Sequence, residues 1–315
     1  MPTLTVFTPA FNRASTLPRT YQSLKNQSRK DFVWLIVDDG SSDNTEALVR
    51  EWQREEAAFE IRYLYKENGG MHTAHNLAYD NIDTELCVCI DSDDAMADGA
   101  VEKILSHWEI VKGRGYCGII ALDADLADGE VIGAAFPDGL EETTLSGYYA
   151  AGGSGDKKLI YRTDLIRNTP AYPVFPGEKY VGLNYKYFLL DRSYKLSVLN
   201  EIVCLVEYQC EGSSQNMFRQ YLNNPRGFAF LRKFYMEQPT SFRRLVMDCI
   251  HYCSSSQIAG NRAYIRESPR KLLTALCTPA GRILTAYIRH GEKKLKHGWD
   301  QKTEAAPPGK DPSAI

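Results

Sequence analysis

Three carboxylates within four residues follow an apolar run at Cys87–Asp94, which reads Cys-Val-Cys-Ile-Asp-Ser-Asp-Asp. Such a run is typical of a buried parallel strand, and open α/β sheets bind their ligands at the C-terminal ends of these strands. Clustered like charges are costly unless a cation or hydrogen-bond donors offset them. A divalent metal that carries a diphosphate is one interpretation of the cluster. An acidic turn before a helix, with Asp94 or Asp98 as N-cap, is the other.

A second apolar run, Phe32–Val37, ends in Asp38 and Asp39. If the two runs are strands of one sheet, their carboxylates converge at one edge. That edge would offer acceptors for the base and ribose of a nucleotide, and hard oxygen ligands for Mg²⁺ or Mn²⁺. Helix capping is again the alternative, because Asp43 and Glu46 have the spacing of a capping box.

The elements that must position these residues alternate between strand and helix. Each of four short β-rich runs precedes a segment with apolar residues at helical spacing, which favours an α/β fold with a doubly wound, mostly parallel sheet. The strands are predicted at Leu4–Thr8, Phe32–Val37, Ile61–Tyr65 and Cys87–Asp91. The segment with Val101, Ile104, Leu105, Trp108 and Val111 is the clearest amphipathic helix.

The pattern is less regular after Tyr116. Strands are predicted at residues 117–122, 131–136, 159–161, 196–199 and 203–208, and helices near 163–167 and 183–191. After Gly212 we predict only helices, up to residue 296, with boundaries at Pro225, Pro239, Pro269 and Pro279. We therefore expect a catalytic domain at residues 1–215 with halves 1–115 and 116–215, a helical region at 216–300, and a disordered tail at 301–315.

Composition indicates an ordinary soluble globular protein, with 43% hydrophobic and 24% charged residues among 315. The eight cysteines lack metal-binding spacing, so reduced, buried thiols are expected. The start of the chain lacks the pattern of a signal peptide, and no apolar stretch is long enough to span a membrane. The sequence thus predicts a cytoplasmic protein.

The C-terminal third is strongly basic, because residues 226–298 hold 14 Lys and Arg against four Asp and Glu. Within it, residues 266–296 combine leucines and isoleucines with basic side chains, while Pro279 and Arg282 argue against a membrane-spanning helix. A segment lying on an anionic membrane surface is one interpretation. A helix packed on the protein with a solvated basic face is the other. No nucleic-acid partner is expected, since no recognised binding motif accompanies these charges.

Four motifs together resemble the family 2 glycosyltransferases, inverting enzymes with the GT-A fold, which is a Rossmann-like α/β fold. The motifs are Thr8-Pro9-Ala10-Phe11-Asn12-Arg13, Val37-Asp38-Asp39-Gly40-Ser41-Ser42-Asp43-Asn44-Thr45, Asn68-Gly69-Gly70 with Asn76, and Asp91-Ser92-Asp93-Asp94. Their order and spacing make the resemblance specific over residues 1–95. It is fair to about residue 215 and weak beyond.

The resemblance implies a nucleotide-sugar site built from these motifs. Asp39 would accept from the base, Asp91 would reach the ribose or the metal, and Asp93 would ligate an Mn²⁺ or Mg²⁺ ion that bridges the diphosphate. The other residues implied to bind the nucleotide-sugar are Thr8, Pro9, Ala10, Asn12, Arg13, Asp38, Asn68, Gly69, Gly70, Asn76 and Ser92.

Inversion also requires a base for the acceptor hydroxyl, which in the family is a loop carboxylate and often part of a Glu-Asp pair. Glu178 is the candidate, although Lys179 stands where Asp is common, and a solvated loop glutamate is the alternative. Asp156 is a weaker candidate for acceptor binding. His72 and His75 have no third ligand nearby, which disfavours zinc.

The implied function is transfer of a sugar from a nucleoside diphosphate sugar, most often a UDP-sugar, to an acceptor hydroxyl. The expected acceptor is a lipid-linked glycan in bacterial surface-polysaccharide assembly, with peripheral contact at the inner face of the plasma membrane. A sugar nucleotidyltransferase is an alternative, but Thr8–Arg13 lacks the glycines of its phosphate loop. A non-catalytic, membrane-docked binding partner is another, although it would not need the Asp91–Asp94 carboxylates. A dehydrogenase is disfavoured, because no G-x-G-x-x-G follows the first strand.

Overall fold

The computed structural model describes residues 2–207, 217–239 and 241–304, and side chains up to residue 292. The chain forms two compact units, Met1–Cys210 and Glu211–Ile315. The predicted domain boundary at residue 215 lies outside the described residues, as does the predicted tail from residue 305 onward. Residues 301–304 of that tail form the last turn of a helix.

The first unit is built on a nine-stranded mixed sheet with the order β3-β2-β1-β4-β8-β6-β9-β5, and β7 pairs with β9. The strands are β1 (Leu4–Ala10), β2 (Phe32–Asp38), β3 (Glu60–Tyr65), β4 (Leu86–Cys89), β5 (Ala95–Met96), β6 (Gly118–Asp125), β7 (Glu142–Thr143), β8 (Lys157–Arg162) and β9 (Leu196–Val206). The first four strands form where predicted and are mutually parallel. β8 is antiparallel to β4 and β6, so its N-terminal end lies beside the C-terminal end of β4.

Helices follow the parallel strands and cover the sheet, which is why β1 and β2 are buried along their whole length. They are α1 (Leu17–Lys25), α2 (Thr45–Glu55), α3 (Met71–Asn81) and α4 (Ala100–Val111), and α5 (Leu145–Ala150), α6 (Thr163–Asn168) and α7 (Asn184–Asp191) follow later. Trp52 of α2 stacks on Tyr21 of α1 and on Trp34 of β2, with ring centroids 4.3 and 5.7 Å apart. The amphipathic face predicted for α4 is confirmed, since all five of its predicted apolar residues are buried.

Two strand predictions in the second half of this unit are wrong. Residues 131–136 form no named strand, and only an isolated bridge joins Val131 to Ala124. The strands predicted at 196–199 and 203–208 merge into the single strand β9, which ends at Val206, and residue 208 lies outside the described residues. The register of β9 against β6 shifts between Ala121 and Asp123. A local irregularity of this kind keeps one strand continuous although its side-chain pattern is broken.

The second unit is helical in its described part, as predicted. It contains α8 (Met217–Asn223), α9 (Pro225–Glu237), α10 (Phe242–Ile258), α11 (Tyr264–Glu267) and α12 (Lys271–Glu304). Pro279 lies inside α12, so its predicted role as a helix boundary is wrong. None of the described helices is long and apolar enough to cross a membrane.

Buried cysteines belong to the packing of both units. Cys249 and Cys253 lie on the face of α10 that forms the core of the second unit, as the helical spacing predicted. Every cysteine among the described residues is free. Burial raises the pKa of the Cys249 and Cys253 thiols to about 11, so both thiols stay protonated and unreactive at neutral pH.

Candidate active site

The loops after β1 and β2 are joined side by side at the C-terminal edge of the sheet. Ala10 and Asp38 are register partners at the ends of the two strands. Asn12 adopts a left-handed backbone conformation with φ 54°, and its Oδ1 accepts from the backbone N–H of Ser42 at 2.8 Å. The Asn12 N–H donates to Ser41 Oγ at 2.9 Å. The two predicted nucleotide-binding loops therefore form one continuous rim.

Only the end of the Thr8–Arg13 motif reaches the surface with polar side chains. Thr8 and Pro9 are buried within β1, and Thr8 Oγ1 accepts from the Trp34 indole at 3.0 Å. The Arg13 guanidinium lies 3.8 Å from the Asp93 carboxylate. The first half of the motif thus shapes the strand, while Arg13 extends to the fourth motif.

Asp38 is a buried carboxylate whose two oxygens are both bound to the protein. Its Oδ1 accepts from the Ser41 N–H at 2.7 Å, and its Oδ2 accepts from the Tyr63 hydroxyl at 2.6 Å. Burial and the contact with Asp38 raise the pKa of Tyr63. Asp38 therefore fixes the loop that follows β2.

Asp39 connects β2 to the loop before α3. Its Oδ1 accepts from the Gly69 N–H at 2.9 Å, and its Oδ2 accepts from the Gly70 N–H at 2.7 Å. Lys66 Nζ also donates to Oδ1. A carboxylate offers about four acceptor positions, so Asp39 retains capacity for a donor from a ligand.

Glycine is required in these loops because other backbone segments pass very close. At Gly40 (φ 85°) a Cβ would lie 2.7 Å from the Asn68 nitrogen. At Gly70 (φ 93°) it would lie 2.0 Å from the carbonyl oxygen of Lys179. The loop that carries Glu178 therefore packs directly on the Asn68-Gly69-Gly70 motif.

Polar side chains of α3 lie behind this loop, and Asn76 binds another loop of the protein. The Asn76 amide both donates to and accepts from the backbone of Tyr172, each at 2.9 Å. Asn76 thus binds α3 to the loop that contains Pro170, Tyr172 and Pro173. Burial lowers the pKa of His72 to about 4 and that of His75 to about 3, so both imidazoles are neutral at pH 7.

The Asp91–Asp94 motif forms a tight turn directly after β4, in which the Asp94 N–H donates to the Asp91 carbonyl at 3.0 Å. Burial, followed by the charge of Asp91, raises the pKa of Asp93. Burial also raises the pKa of Asp94 to about 7. Excess negative charge in a half-buried turn is what a bound cation would stabilise.

Asp91 and Asp93 fit a divalent cation whose coordination is completed by a substrate. Within the described ranges, no three His, Cys, Asp or Glu side chains are arranged to hold a metal by themselves. Mg²⁺, however, is usually held by one or two carboxylates together with substrate phosphates, and Mn²⁺ accepts the same oxygen ligands. Two neighbouring carboxylates at the end of a strand are a donor set of that kind.

Helix capping does not explain the two carboxylate clusters. The N-cap of α4 is Gly99, and the N-cap of α2 is Asn44, which makes no side-chain capping bond. The interpretation of Asp94 or Asp98 as an N-cap is therefore wrong. So is the capping box predicted at residues 43 and 46, because Asp43 instead accepts from the N–H and hydroxyl of Thr45.

A cavity of about 420 Å³ opens beside Asp91 in the first unit. Its charged and amide side chains are Asp91, Asp94, Asp123, Asp156, Lys157, Lys158 and Asn184, and its aromatic side chains are Tyr149, Tyr187 and Phe188. Sequence reasoning missed Asp123 and Lys158. Asp123 follows an apolar run, Cys117–Leu122, as Asp38 and Asp91 follow theirs. The same sequence pattern could therefore have identified Asp123 as a site residue.

The predicted catalytic and acceptor-binding carboxylates occupy different places. Glu178 is 7% exposed, in the loop that packs on Gly70, and it is not among the described residues that line the cavity beside Asp91. Asp156 is exposed and lines that cavity. The structure thus brings Asp156, and not Glu178, to the cavity wall.

A second cavity, of about 730 Å³, lies at the opposite end of β4. It is lined by Glu85, Trp108 and Arg162 among others, but by none of the motif residues. Several of its polar side chains are paired with one another, since the Trp108 indole donates to Glu85 at 2.9 Å and Arg162 binds Asp164. Its greater volume therefore does not make it the site of the chemistry.

Comparison with known proteins identifies the first part of the chain. Residues 5–125 match the sequence model of "Glycosyl transferase family 2". Residues 5–125 are therefore similar in sequence to glycosyl transferase family 2. The resemblance stated from the four motifs is thereby confirmed.

Two curated relatives of this chain act on bacterial glycans by name. The GalNAc(5)-diNAcBac-PP-undecaprenol beta-1,3-glucosyltransferase of Campylobacter jejuni is 26% identical over 233 residues, which are 70% of this chain and 72% of that protein. The putative teichuronic acid biosynthesis glycosyltransferase TuaG of Bacillus subtilis is 30% identical over 104 residues, 33% of this chain and 41% of that protein.

Solved structures show the fold. TarS 1-349 of S. aureus, in complex with UDP-GlcNAc, superposes with a TM-score of 0.55 at 16% identity, covering 91% of this chain and 92% of that one. The mannosyltransferase PcManGT of Pyrobaculum calidifontis, in complex with GDP-Man and Mn²⁺, gives 0.53 at 14% identity, covering 91% and 87%. The predicted fold class, a GT-A-like α/β domain followed by a helical region, is confirmed.

Proposed function

We propose that this glycosyltransferase moves a sugar from a nucleoside diphosphate sugar, with inversion, to a hydroxyl of a lipid-linked glycan during synthesis of a bacterial surface polysaccharide. The observation that carries the proposal is that four motifs separated along the chain meet at one edge of the sheet, beside Asp91 and Asp93. The names of the C. jejuni and B. subtilis relatives support the acceptor class. The TarS complex supports a UDP-sugar donor.

The first unit would hold the donor along this edge. Asn12, Arg13 and Asp39 offer polar groups to the base and ribose, and Gly70 allows the backbone to approach the nucleotide. Asp91 and Asp93 would hold the diphosphate through Mn²⁺ or Mg²⁺, in the role that the motifs imply. When bound, the cation neutralises charge on the departing nucleoside diphosphate.

Two carboxylates are candidates for work at the acceptor hydroxyl. A single displacement with inversion needs one base to take the hydroxyl proton as the new bond forms. We assign this role to Glu178, since the loop that carries it packs on Gly70. We assign acceptor binding to Asp156, which lies on the wall of the cavity beside Asp91.

Calorimetry with nucleoside diphosphates and their sugars, with and without Mn²⁺, tests the donor site. We expect one nucleotide to bind in a metal-dependent way, and Asp93→Ala to lower its affinity at least about 100-fold, because truncating a metal ligand removes much of the site. Asp83→Ala, an exposed carboxylate paired with Arg62, is the matched control. Metal-independent binding that survives in Asp93→Ala would refute the metal assignment, and no binding at all would refute the enzyme.

We also propose that the second unit rests on an anionic membrane surface through α12. The large apolar side chains Leu272, Leu276, Ile283 and Tyr287 are each more than 60% exposed, and their spacing puts them on one face of the helix. Exposed basic residues Lys271, Arg282 and Arg289 form a row beside that face. An exposed apolar face bordered by cations is the pattern of a helix that lies in a membrane interface.

Vesicle flotation tests this surface with phosphatidylglycerol and phosphatidylcholine vesicles. We expect binding to the anionic vesicles alone, and at least about a tenfold loss in Ile283→Asp, because a buried isoleucine contributes about 2 kcal/mol. Ile110→Asp, at an equally exposed isoleucine of α4, is the control. Dimerisation in sedimentation that is lost in Ile283→Asp would instead assign this face to a second copy of the chain.

A further inference from the structure

One part of the cavity beside Asp91 has no role in the transfer step described above. Asp123, near the end of β6, is 2% exposed, and its Oδ1 has no hydrogen-bond partner. Its Oδ2 lies 3.8 Å from Nζ of Lys158, a distance that allows an ion pair but is too long for a hydrogen bond. A buried carboxylate oxygen left without a donor is costly. A ligand that supplies a donor at this place would recover that cost.

The loop that carries Asp156 lies next to this pair, and Lys157 holds it in place. Lys157 Nζ donates to the carbonyl oxygens of Ile132, Ser154 and Asp156 at 3.0, 2.9 and 3.1 Å. At Gly155 (φ 75°) a Cβ would lie 2.1 Å from the Ile132 carbonyl oxygen. The wall that carries Asp156 is therefore fixed before any ligand arrives, as a selective binding site requires.

The lining has the chemistry of a carbohydrate site. A sugar hydroxyl both donates and accepts, so it can bridge a carboxylate and an ammonium group that lie too far apart to bond directly. Tyr149, Tyr187 and Phe188 provide aromatic surface for the apolar C–H faces of a sugar ring. The volume, about 420 Å³, lies within the usual range for small-molecule sites, about 300–1,000 Å³.

We propose that the Asp123–Lys158 pair binds the sugar ring of the donor and selects a neutral sugar over a uronic acid. This inference rests on the proposed function, because Asp91 lines the same cavity and would lie next to the diphosphate. Apart from Asp91, which would hold the cation, three carboxylates line the cavity against two lysines, and Lys157 uses its donors on backbone carbonyls. A further carboxylate on the sugar would therefore meet net repulsion.

Calorimetry with UDP, UDP-glucose, UDP-GlcNAc and UDP-glucuronic acid tests the pair, with GDP, dTDP and their sugars as a second set. In the wild type, a neutral sugar should strengthen binding over the bare nucleoside diphosphate, and glucuronic acid should not. Asp123→Asn and Lys158→Met should each weaken binding of the neutral sugar nucleotide about tenfold, since each removes a hydrogen bond to a charged group. Asp125→Asn, on the same strand but outside the cavity, should have no effect.

Binding of the bare nucleoside diphosphate serves as the control for folding. Its affinity should stay within about twofold in both variants. Equal losses for the bare nucleotide and the sugar nucleotide would show a structural role and overturn the proposal, as would no loss for either. Wild-type binding of nucleoside diphosphates with no gain from any neutral sugar would overturn the subsite alone. No nucleotide binding at all would overturn the proposed function and this inference together.

Discussion

The edge of the sheet where we propose that the nucleotide binds (the nucleotide edge: residues 10–13, 38–45 and 68–70) and the cavity beside Asp91 hold their carboxylates in different ways. At the nucleotide edge, Asp39 accepts from two backbone N–H groups and from Lys66. In the cavity, Asp123 is just as buried, but one of its oxygens has no partner and the other is 3.8 Å from Lys158. The protein's own hydrogen bonds hold the loops of the first region in place, whereas the second region contains a buried carboxylate oxygen that no donor in the described part of the chain reaches.

This difference matches what the two parts of a donor require. A nucleotide presents the same base, ribose and diphosphate whatever sugar is attached, so loops fixed by internal hydrogen bonds suit it. A sugar is identified by the positions of its hydroxyls, and discrimination depends on buried polar groups that only the correct sugar can satisfy. We therefore expect mutations at the nucleotide edge to weaken every donor, and mutations in the cavity to change the choice among donors.

The largest effect we expect would separate the two candidate carboxylates. Glu178→Gln should leave the donor Kd within about twofold but lower kcat by about 10² to 10⁴, because it removes a general base. Asp156→Asn should leave kcat nearly unchanged and raise the acceptor KM about tenfold, because it removes one acceptor contact. Steady-state transfer to a lipid-linked acceptor, combined with donor calorimetry, measures both. The reverse pattern would assign the base to Asp156, in the cavity beside Asp91, instead of Glu178.

A second prediction concerns the hydrogen bonds that Asp39 accepts from Lys66, Gly69 and Gly70. In Asp39→Asn, the side-chain amide can no longer accept from Gly69, Gly70 and Lys66 together. Leaving a backbone N–H unpaired should lower the free energy of unfolding by about 1–3 kcal/mol. Nucleoside diphosphate affinity should fall about tenfold or more, to the same degree for UDP and for every UDP-sugar. Urea unfolding and calorimetry check this, with Asp83→Asn as the exposed control. A loss confined to sugar nucleotides would contradict the contrast between the two regions.

The sequence predicted the strands of the nucleotide edge well because their determinants are local. β1 to β4 are short apolar runs that end in polar motifs. The parallel register of β1 with β2 then brings the loop with Asn12 next to the loop with Ser41. The structure adds that Gly40 and Gly70 are required because the backbones of Asn68 and Lys179 approach them closely. The partners could not be read from the motifs, since Asp39 binds a loop 30 residues away and Asn76 binds the backbone of Tyr172.

The cavity could not be predicted in the same way because it depends on an antiparallel insertion. Lys158 reaches Asp123 only because β8 runs between β4 and β6 in the opposite direction, and no local pattern encodes that neighbour. The same long-range pairing decides what the segment after β6 becomes, and the strand predicted at residues 131–136 does not form. The irregular register of β9 likewise follows from its partner β6.

The last prediction concerns the pH dependence of stability, which arises from the unsatisfied carboxylate. Burial raises the pKa of Asp123 to about 6, whereas an unfolded aspartate has a pKa of about 3.9. The folded chain then holds this proton more tightly, so the resulting stability is fully present below about pH 4 and is lost as the pH rises through about 6. Asp123→Asn should remove that decline, which is at most about 1.4 kcal/mol per pH unit.

Urea unfolding of the wild type and of Asp123→Asn between pH 4 and pH 7 isolates this contribution, because the other titrating groups are common to both proteins. The difference in unfolding free energy should shift in favour of the variant as the pH rises, while Asp125→Asn should follow the wild type. A neutral sugar nucleotide at saturation should flatten the wild-type curve, since a hydroxyl donor to Asp123 stabilises its ionised form. Parallel curves for the wild type and Asp123→Asn would show that the protein already satisfies this carboxylate. The contrast between Asp123 in the cavity and Asp39 at the nucleotide edge would then be wrong.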